Sequence, residues 1–500
     1  MAFIDSTVVN VALPALQSNL HATVVDVQWV VESYGLFLSA LILVGGALGD
    51  SFGRRRMFLR GVGVFAVASA GCGLSSSIPA LVVWRCIQGI AAAFLVPGSL
   101  AIISASFDEK SRGKAIGTWS GFTAITSALG PVLGGWLIEH ASWHWVFWIN
   151  VPMAALVIAI SLWHVPESRS SQARSADWLG AIIATVGLAA LVYGFLESAS
   201  LGWSRPPVLA SLLTGCVCLV LFPIVEKRVT TPMVPLELFR SSSFSGANLL
   251  TLLLYAALGI FFFLFPLNLI QVHHYSATAT GAAALPMILL MFFLSRWSGG
   301  LVGRYGPKTP LIIGPLIAAA GFFLFAASSA NASYWTNLFP AFLVLGLGMA
   351  VSVAPLTTVV MSSVEGDRAG TASGINNAVA RVAGVLAVAV LGIVMVAGFT
   401  RSLRQSLATQ ALNPSVVKEL EANVTKLGSL DPPPNQDPGT AAGIRAAISH
   451  SFVFGFRMIM FICAALAIAS AAVASRMIPS ETGAPGPGFD EFAAAKENSS

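Results

Sequence analysis

The sequence predicts an all-α membrane protein of fourteen spans, arranged as two six-helix bundles with an inserted helix pair, and three observations predict it. Only 10% of the 500 residues are charged, 56% are hydrophobic, and the mean hydropathy is +0.80. A soluble domain carries about 25% charged residues, so this chain cannot cover itself with a water-facing surface, and a soluble enzyme is excluded. The apolar residues fall into long runs, and backbone groups in hydrocarbon must pair within their own segment, so each run reads as a helix. At roughly 20 residues per crossing, fourteen crossings match the apolar share of the chain. Finally, the basic residues gather in alternate connections.

Spans are predicted near 1–17, 27–50, 57–75, 79–105, 115–139, 144–164, 178–198, 206–225, 245–271, 278–298, 309–329, 335–361, 370–399 and 451–478. The first is short: seventeen residues reach about 26 Å against a hydrocarbon core of about 30 Å. The expectation is therefore a start lying upstream of Met1, or a shortened first helix. Alternate connections carry Arg54, Arg55, Arg56 and Arg60; Lys110, Arg112 and Lys114; Arg169 and Arg174; Lys227, Arg228 and Arg240; Arg304 and Lys308; and Arg368. The opposite short connections carry only Arg205. Short cytoplasmic loops collect Lys and Arg, which places both termini in the cytoplasm, as an even number of spans requires.

The expected organisation is a bundle at 1–165, two inserted helices at 166–240 and a second bundle at 241–480. The second bundle contains a long external loop at 400–450, broken by Asp431-Pro-Pro-Pro-Asn435. A Gly- and Pro-rich tail at 481–500 reads as disordered. An internal repeat supports two bundles: Gly46-Ala-Leu-Gly-Asp50-Ser-Phe-Gly53 before a basic cluster has a counterpart in Gly299-Gly-Leu-Val-Gly-Arg304-Tyr-Gly306. Duplicated halves with a site at their interface are a transporter architecture. The net charge of +5 is too mild to argue a nucleic-acid partner. The five cysteines lie in apolar runs with no metal-ligand spacing, so no metal site is expected.

Charges inside the spans are the informative exceptions, because each costs roughly 2.5–3.5 kcal/mol at mid-membrane on insertion scales. No acid occurs from Gly246 to Val364, so the second half offers no carboxylate there. Asp50, Glu139 and Glu197 stand at span ends, which leaves Asp5 and Glu32 as the only acids inside apolar helices. Asp5 is followed by Thr7 and Asn10, expected near one face of the first helix. Basic residues within spans include Arg85 and Arg381, with Arg296 near an end. Burial favours the protonated carboxyl and a nearby Arg the ionised one, so Asp5 and Glu32 are candidate proton sites with Arg85 modulating them. Trp29, Tyr34, Phe122, Tyr255 and Phe262 could stack on planar cations; Asn10, Gln88 and Arg381 join Tyr34, Phe122 and Tyr255 as candidate cavity residues.

Several of these segments resemble one family. Asp5-Ser-Thr-Val-Val-Asn10-Val-Ala-Leu-Pro14 looks like the first-helix motif of the fourteen-span drug:proton antiporters of the major facilitator superfamily. Gly46 to Arg56 resembles the superfamily's loop motif, which implies a conformational switch at Gly46, Asp50, Gly53, Arg54 and Arg55. Leu81-Val-Val-Trp-Arg85-Cys-Ile-Gln88-Gly89 resembles the helix-four motif whose arginine is linked to proton transfer. Gly117, with Gly130-Pro131-Val-Leu-Gly134-Gly135, resembles the antiporter motif, and Trp143 to Pro152 the start of helix six. Ser51 and Thr126 depart from the family pattern.

The resemblance implies the major facilitator fold in a plasma (inner) membrane. It further implies export of hydrophobic or cationic compounds in exchange for protons, with no cofactor beyond the proton gradient. The chain would act as a monomer or with a periplasmic adaptor. The alternative on the same fold is proton-coupled transport of one specific metabolite.

Overall fold

A computed structural model describes residues 1–107, 122, 126, 129–169, 177–328, 333–364, 369–410, 412–434 and 436–480. Among them the regular structure is helical, with no strand. Eleven of the described helices are long and apolar enough to cross a membrane. The main helices, in chain order, are α1 (Ala2–Asn19), α2 (Val24–Phe52), α3 (Arg54–Gly73) and α4 (Ile78–Ser106). Next come α5 at 129–140 and, after one turn at Trp145–Trp148, α6 (Asn150–His164). A pair follows, α7 (Trp178–Leu201) and α8 (Pro206–Glu226). Then come α9 (Ser242–Leu267), α10 (Ala277–Ala283), α11 (Leu285–Gly299), α12 (Lys308–Ala327) and α13 (Phe339–Ser362). The series closes with α14 (Ala369–Ala408), α15 (Pro414–Ala422) and α16 (Pro438–Met477).

Local chemistry sets the ends. Thr23 and Asp26 form a capping box at the start of α2, with Asp26 N donating to Thr23 Oγ1 at 3.2 Å and Thr23 N to Asp26 Oδ2 at 2.7 Å. Asp437 caps α16 by accepting from Thr440 N at 2.9 Å, and the hydrogen bonds from Thr440 hold its carboxyl below the usual range. The two glycine-rich turns share a backbone device. Gly53, between α2 and α3, has φ +108°, and Gly306, before α12, has φ +73°. Both values suit glycine, whose missing Cβ removes the steric penalty.

Helices α2, α3, α4 and α6 pack as one group, and α9, α12, α13, α14 and α16 as another. The second group is filled by Phe261, Phe265, Phe325 and Phe342, with ring centroids 4.9 Å apart for three of the pairs. The groups meet along α2 and α14, where Gln28 Nε2 donates to Val388 O at 3.0 Å. The pair α7–α8 leans on both α2 and α14 and exposes Leu209, Leu213, Leu219 and Val220 outward. Such a surface suits hydrocarbon and not water.

One boundary differs from expectation. The external segment at 400–450 is largely helical: α14 runs on to Ala408, α15 follows, and α16 begins at Pro438. Residues 401–408 contain no Gly or Pro to stop a helix, and Arg404 of α14 ties back to Glu421 of α15 at 2.7 Å.

Candidate functional site

At the centre of the first group lies a closed polar cluster. Asp5 and Arg85 are 0% and 1% exposed, and Arg85 Nη1 donates to Asp5 Oδ2 at 2.6 Å. The other carboxylate oxygen, Oδ1, accepts from Gln88 Nε2 at 2.8 Å and Asn150 Nδ2 at 2.9 Å. Ser69 Oγ accepts from the same two amides at 2.6 and 3.1 Å. Arg85 also donates from Nε to Val30 O at 3.0 Å and from Nη1 to Gln88 Oε1 at 2.7 Å, while its guanidinium lies 4.2 Å from the Tyr34 ring centroid. Five helices, α1, α2, α3, α4 and α6, thus contribute to one network. A charge pair out of water needs such extra hydrogen bonds to offset its desolvation.

Several predicted residues land differently. Residues two apart on a helix are about 200° apart around its axis, so Thr7 does not share the face of Asp5. Its hydroxyl donates to Ile4 O at 3.0 Å, and the residue abuts Gly130 of α5. Asn10 is half-buried on α1. Gln88 is a member of the buried network, its amide completing the shell of Asp5. Tyr34, 4% exposed, lies under Arg85 for the same reason. Arg381 is half-buried on α14. Tyr255 packs against the core and Phe122 is exposed. Trp29 turns to the inserted pair, donating to Glu197 at 3.0 Å. Gly117 and the side chain of Arg296 lie outside the described residues.

Glu32 is buried at 1% exposure but stands outside the network, and its Oε2 meets no hydrogen-bond donor among the described residues. Of the two carboxyls, Arg85 pairs with Asp5. Sequence reasoning missed Ser69 and Asn150 as partners. Asn150 was visible as a lone amide in an apolar run; nothing distinguished Ser69.

The glycine-rich turn between α2 and α3 is held by charge. Asp50 pairs with Arg54 at 2.8 Å. Glu167, unremarked in the sequence, caps α3: its carboxylate accepts from Arg55 N at 3.0 Å and Arg56 N at 3.1 Å. A carboxylate at a helix N-terminus satisfies free N–H groups and the dipole together. A Cβ on Gly53 would stand 2.8 Å from that carboxylate, so the turn needs glycine twice over. Gly46 meets Pro97 of α4 in ordinary contact, 3.5 Å from its would-be Cβ.

Helix α5 is a seam between the groups. Gly130 and Gly134 face Thr7 and Val8 of α1, while a Cβ on Gly135 would run into the backbone of Ala277 in α10, and one on Gly281 into that of Pro131. Small residues here let backbones touch. At the end of the bundle opposite the basic turns, Glu139 Oε2 accepts from Thr278 Oγ1 at 2.5 Å. Nearby, Gln271 Nε2 donates to Gln17 Oε1 and to Ser429 Oγ, each at 2.7 Å. This end is closed.

The family model of the Major Facilitator Superfamily matches residues 1–388. The chain is 34% identical to the tetracenomycin C resistance and export protein of Streptomyces glaucescens over 481 residues, covering 95% of this chain and 88% of that one. It is 35% identical to the multidrug resistance protein Stp of Mycobacterium tuberculosis, covering 83% and 77%. It is also 35% identical to the puromycin resistance protein of Streptomyces alboniger, covering 79% of each. Among solved structures, an inward-facing bacterial homolog of the human lysosomal transporter Spinster superposes with a TM-score of 0.62 at 17% identity, covering 97% and 96%. The inward open xylose transporter of E. coli gives 0.56 at 15% identity, covering 99% and 96%. The chain belongs to the Major Facilitator Superfamily; it is a multi-span membrane transporter, not an enzyme.

Proposed function

We propose that this major facilitator protein exports hydrophobic or cationic drug-like compounds in exchange for protons, by alternating access across a plasma membrane. The observation that carries the reading is the sealed Asp5–Arg85 cluster, a membrane-buried carboxylate whose every partner is an uncharged amide or one arginine. Relatives named for drug resistance and export support the substrate class. The fourteen-span antiporter organisation has two six-helix bundles with α7–α8 inserted between them and both termini in the cytoplasm. In this organisation the end tied by Glu139 and Gln271 is the external one, and its closure would leave the transporter facing inward.

The chemistry follows from the two carboxyls. Asp5 is fully hydrogen-bonded and paired, its two oxygens taken up by Arg85, Gln88 and Asn150. Glu32 has a buried oxygen with no donor, which an uncharged carboxyl tolerates far better than a carboxylate. A cationic substrate entering beside α2 can replace that proton as the positive partner of Glu32. Proton and substrate then compete for one group, which is the minimum device for exchange. Separating α1 from α4 would expose Asp5 and let it take a proton on the external side. The α5 seam, with glycines at the contact, lets the groups rock without a leak path. The Asp50–Arg54 and Glu167 contacts hold the cytoplasmic turn in register during that motion.

The test is uptake and efflux of a fluorescent cationic dye in proteoliposomes with an imposed pH gradient. Efflux should follow the gradient and fail in Asp5→Asn and Glu32→Gln. Efflux indifferent to the gradient, or unchanged in both variants, would overturn the reading.

A further inference from the structure

An apolar cavity lies away from the polar cluster, between the inserted pair and the rest of the bundle. It holds about 310 Å³ and is walled by α2, α7, α8, α9 and α14 and by the linker between α8 and α9, through residues such as Ala184, Leu188, Phe222, Val234, Val379 and Leu386. Its wall carries almost nothing to bind a polar group. Ser39 spends its hydroxyl on Gly35 O at 2.5 Å, and the remaining heteroatom side chains are sulfur: Cys218, a free thiol, and Met233. Only hydrocarbon can gain from entering such a space.

The linker gives the space an end. Met233 and Val234 face the apolar cavity, while their neighbours Pro232 and Pro235 face an adjoining polar cavity of about 840 Å³. Lys227, Thr230, Arg240 and Thr371 line that second space, together with Glu226 and Glu237. The Glu226 carboxylate is turned inward, accepting from Val234 N at 2.9 Å, which pins the partition between the two cavities. Lys227 and Arg240 are exposed, and Arg228 beside them is exposed as well. An apolar slot in the membrane, adjoining across the linker at 232–235 a polar rim where Lys227 and Arg240 are exposed, has the polarity profile of one lipid molecule.

We propose that this seam binds an anionic phospholipid of the leaflet next to the basic turns, with an acyl chain in the apolar cavity and the phosphate on Lys227 and Arg240. Basic segments at a membrane surface attract anionic headgroups. A transported cation would find no acceptor in the apolar wall, which separates this site from the substrate path. The cavity is bounded by α2 on one side and α14 on the other, and these helices belong to different packing groups. Motion between the groups reshapes the slot, so a bound chain has a different affinity in each state and shifts the balance between them. That consequence rests on the export reading; the lipid site does not.

The test is photolabelling of the full chain in mixed phosphatidylglycerol and phosphatidylcholine vesicles, with a trace of phosphatidylglycerol carrying a diazirine on its acyl chain. Label should concentrate on peptides containing Ile183–Leu191 and Val379–Leu386. It should fall at least tenfold in Ala184→Phe, which fills the cavity, while label on the outward face of α8 stays unchanged as the folding control. Lys227→Gln with Arg240→Gln should keep the cavity yet erase a several-fold preference over diazirine phosphatidylcholine. Label spread evenly over the outward face, or a fall in neither variant, would overturn the site. Displacement of the label by a transported dye would also overturn it, marking the slot as a substrate route. Efflux-dead protein that still labels as described would leave the lipid site standing and defeat only the export reading.

Discussion

Replacing Asp5 with asparagine changes one charge at a point where three donors converge. Oδ1 takes two amide hydrogen bonds and Oδ2 takes the guanidinium. The asparagine amide must aim its NH₂ at one of those sides. Turned toward Arg85, it sets donor against donor and leaves a buried cation unpaired; turned away, it opposes Gln88 and Asn150. Removing one partner of a buried pair costs about 3–5 kcal/mol, far above the roughly 0.2–1 kcal/mol of an exposed pair. Arg85→Gln alone should cost a similar amount, whereas the double variant should recover about 1.5–3 kcal/mol, the coupling expected of groups in direct contact. Reversible unfolding in mixed micelles, followed by tryptophan fluorescence, measures all three. A loss under about 1 kcal/mol for Asp5→Asn, or additivity within roughly 0.5 kcal/mol, would show that the pair is not the anchor described here.

Three further outcomes are expected. Glu167→Ala removes the cap of α3 and should cost about 1 kcal/mol in the same unfolding assay, with efflux slowed and dye affinity unchanged; an equal loss of affinity would place Glu167 at the substrate site. Gly135→Val should reduce efflux at least tenfold by forcing α5 from Ala277, while the neighbouring lipid-side Leu133→Val leaves it intact; normal efflux in Gly135→Val would mean that the seam is not closely packed in the working cycle. Glu139→Gln with Thr278→Val unlatches the closed end, and a cysteine placed at Gln17 should then react faster with a membrane-impermeant maleimide. An unchanged rate would remove this latch from the gate.

Much of the fold was legible because the bilayer imposes a simple rule: apolar runs become helices and basic residues choose a side. Asp5 and Arg85 were legible because charge inside such runs is rare enough to demand a partner. What the sequence could not show was facing. Thr7 reads as a companion of Asp5 along the chain but points to α5, since two residues make more than half a turn. Glu167 and Ser69 act across contacts more than eighty residues distant for Asn150 and over a hundred for Arg55, and no local pattern encodes that. The amide of Gln88 suits a cavity wall as well as a buried network, and only the fold shows that it bonds to Asp5. Helix length was underread at 400–408 because charge suggested water, and a helix can continue into water when nothing breaks it.

The central claim is that proton and substrate compete for carboxyls in the first half of the chain. Its most direct measurement is proton release on substrate binding: ethidium is added to purified protein in weakly buffered detergent solution, and the pH is followed with an indicator dye. The account predicts protons released in step with dye binding, and no release in Glu32→Gln. Binding without proton release in the wild-type protein, or equal release in Glu32→Gln, would contradict it.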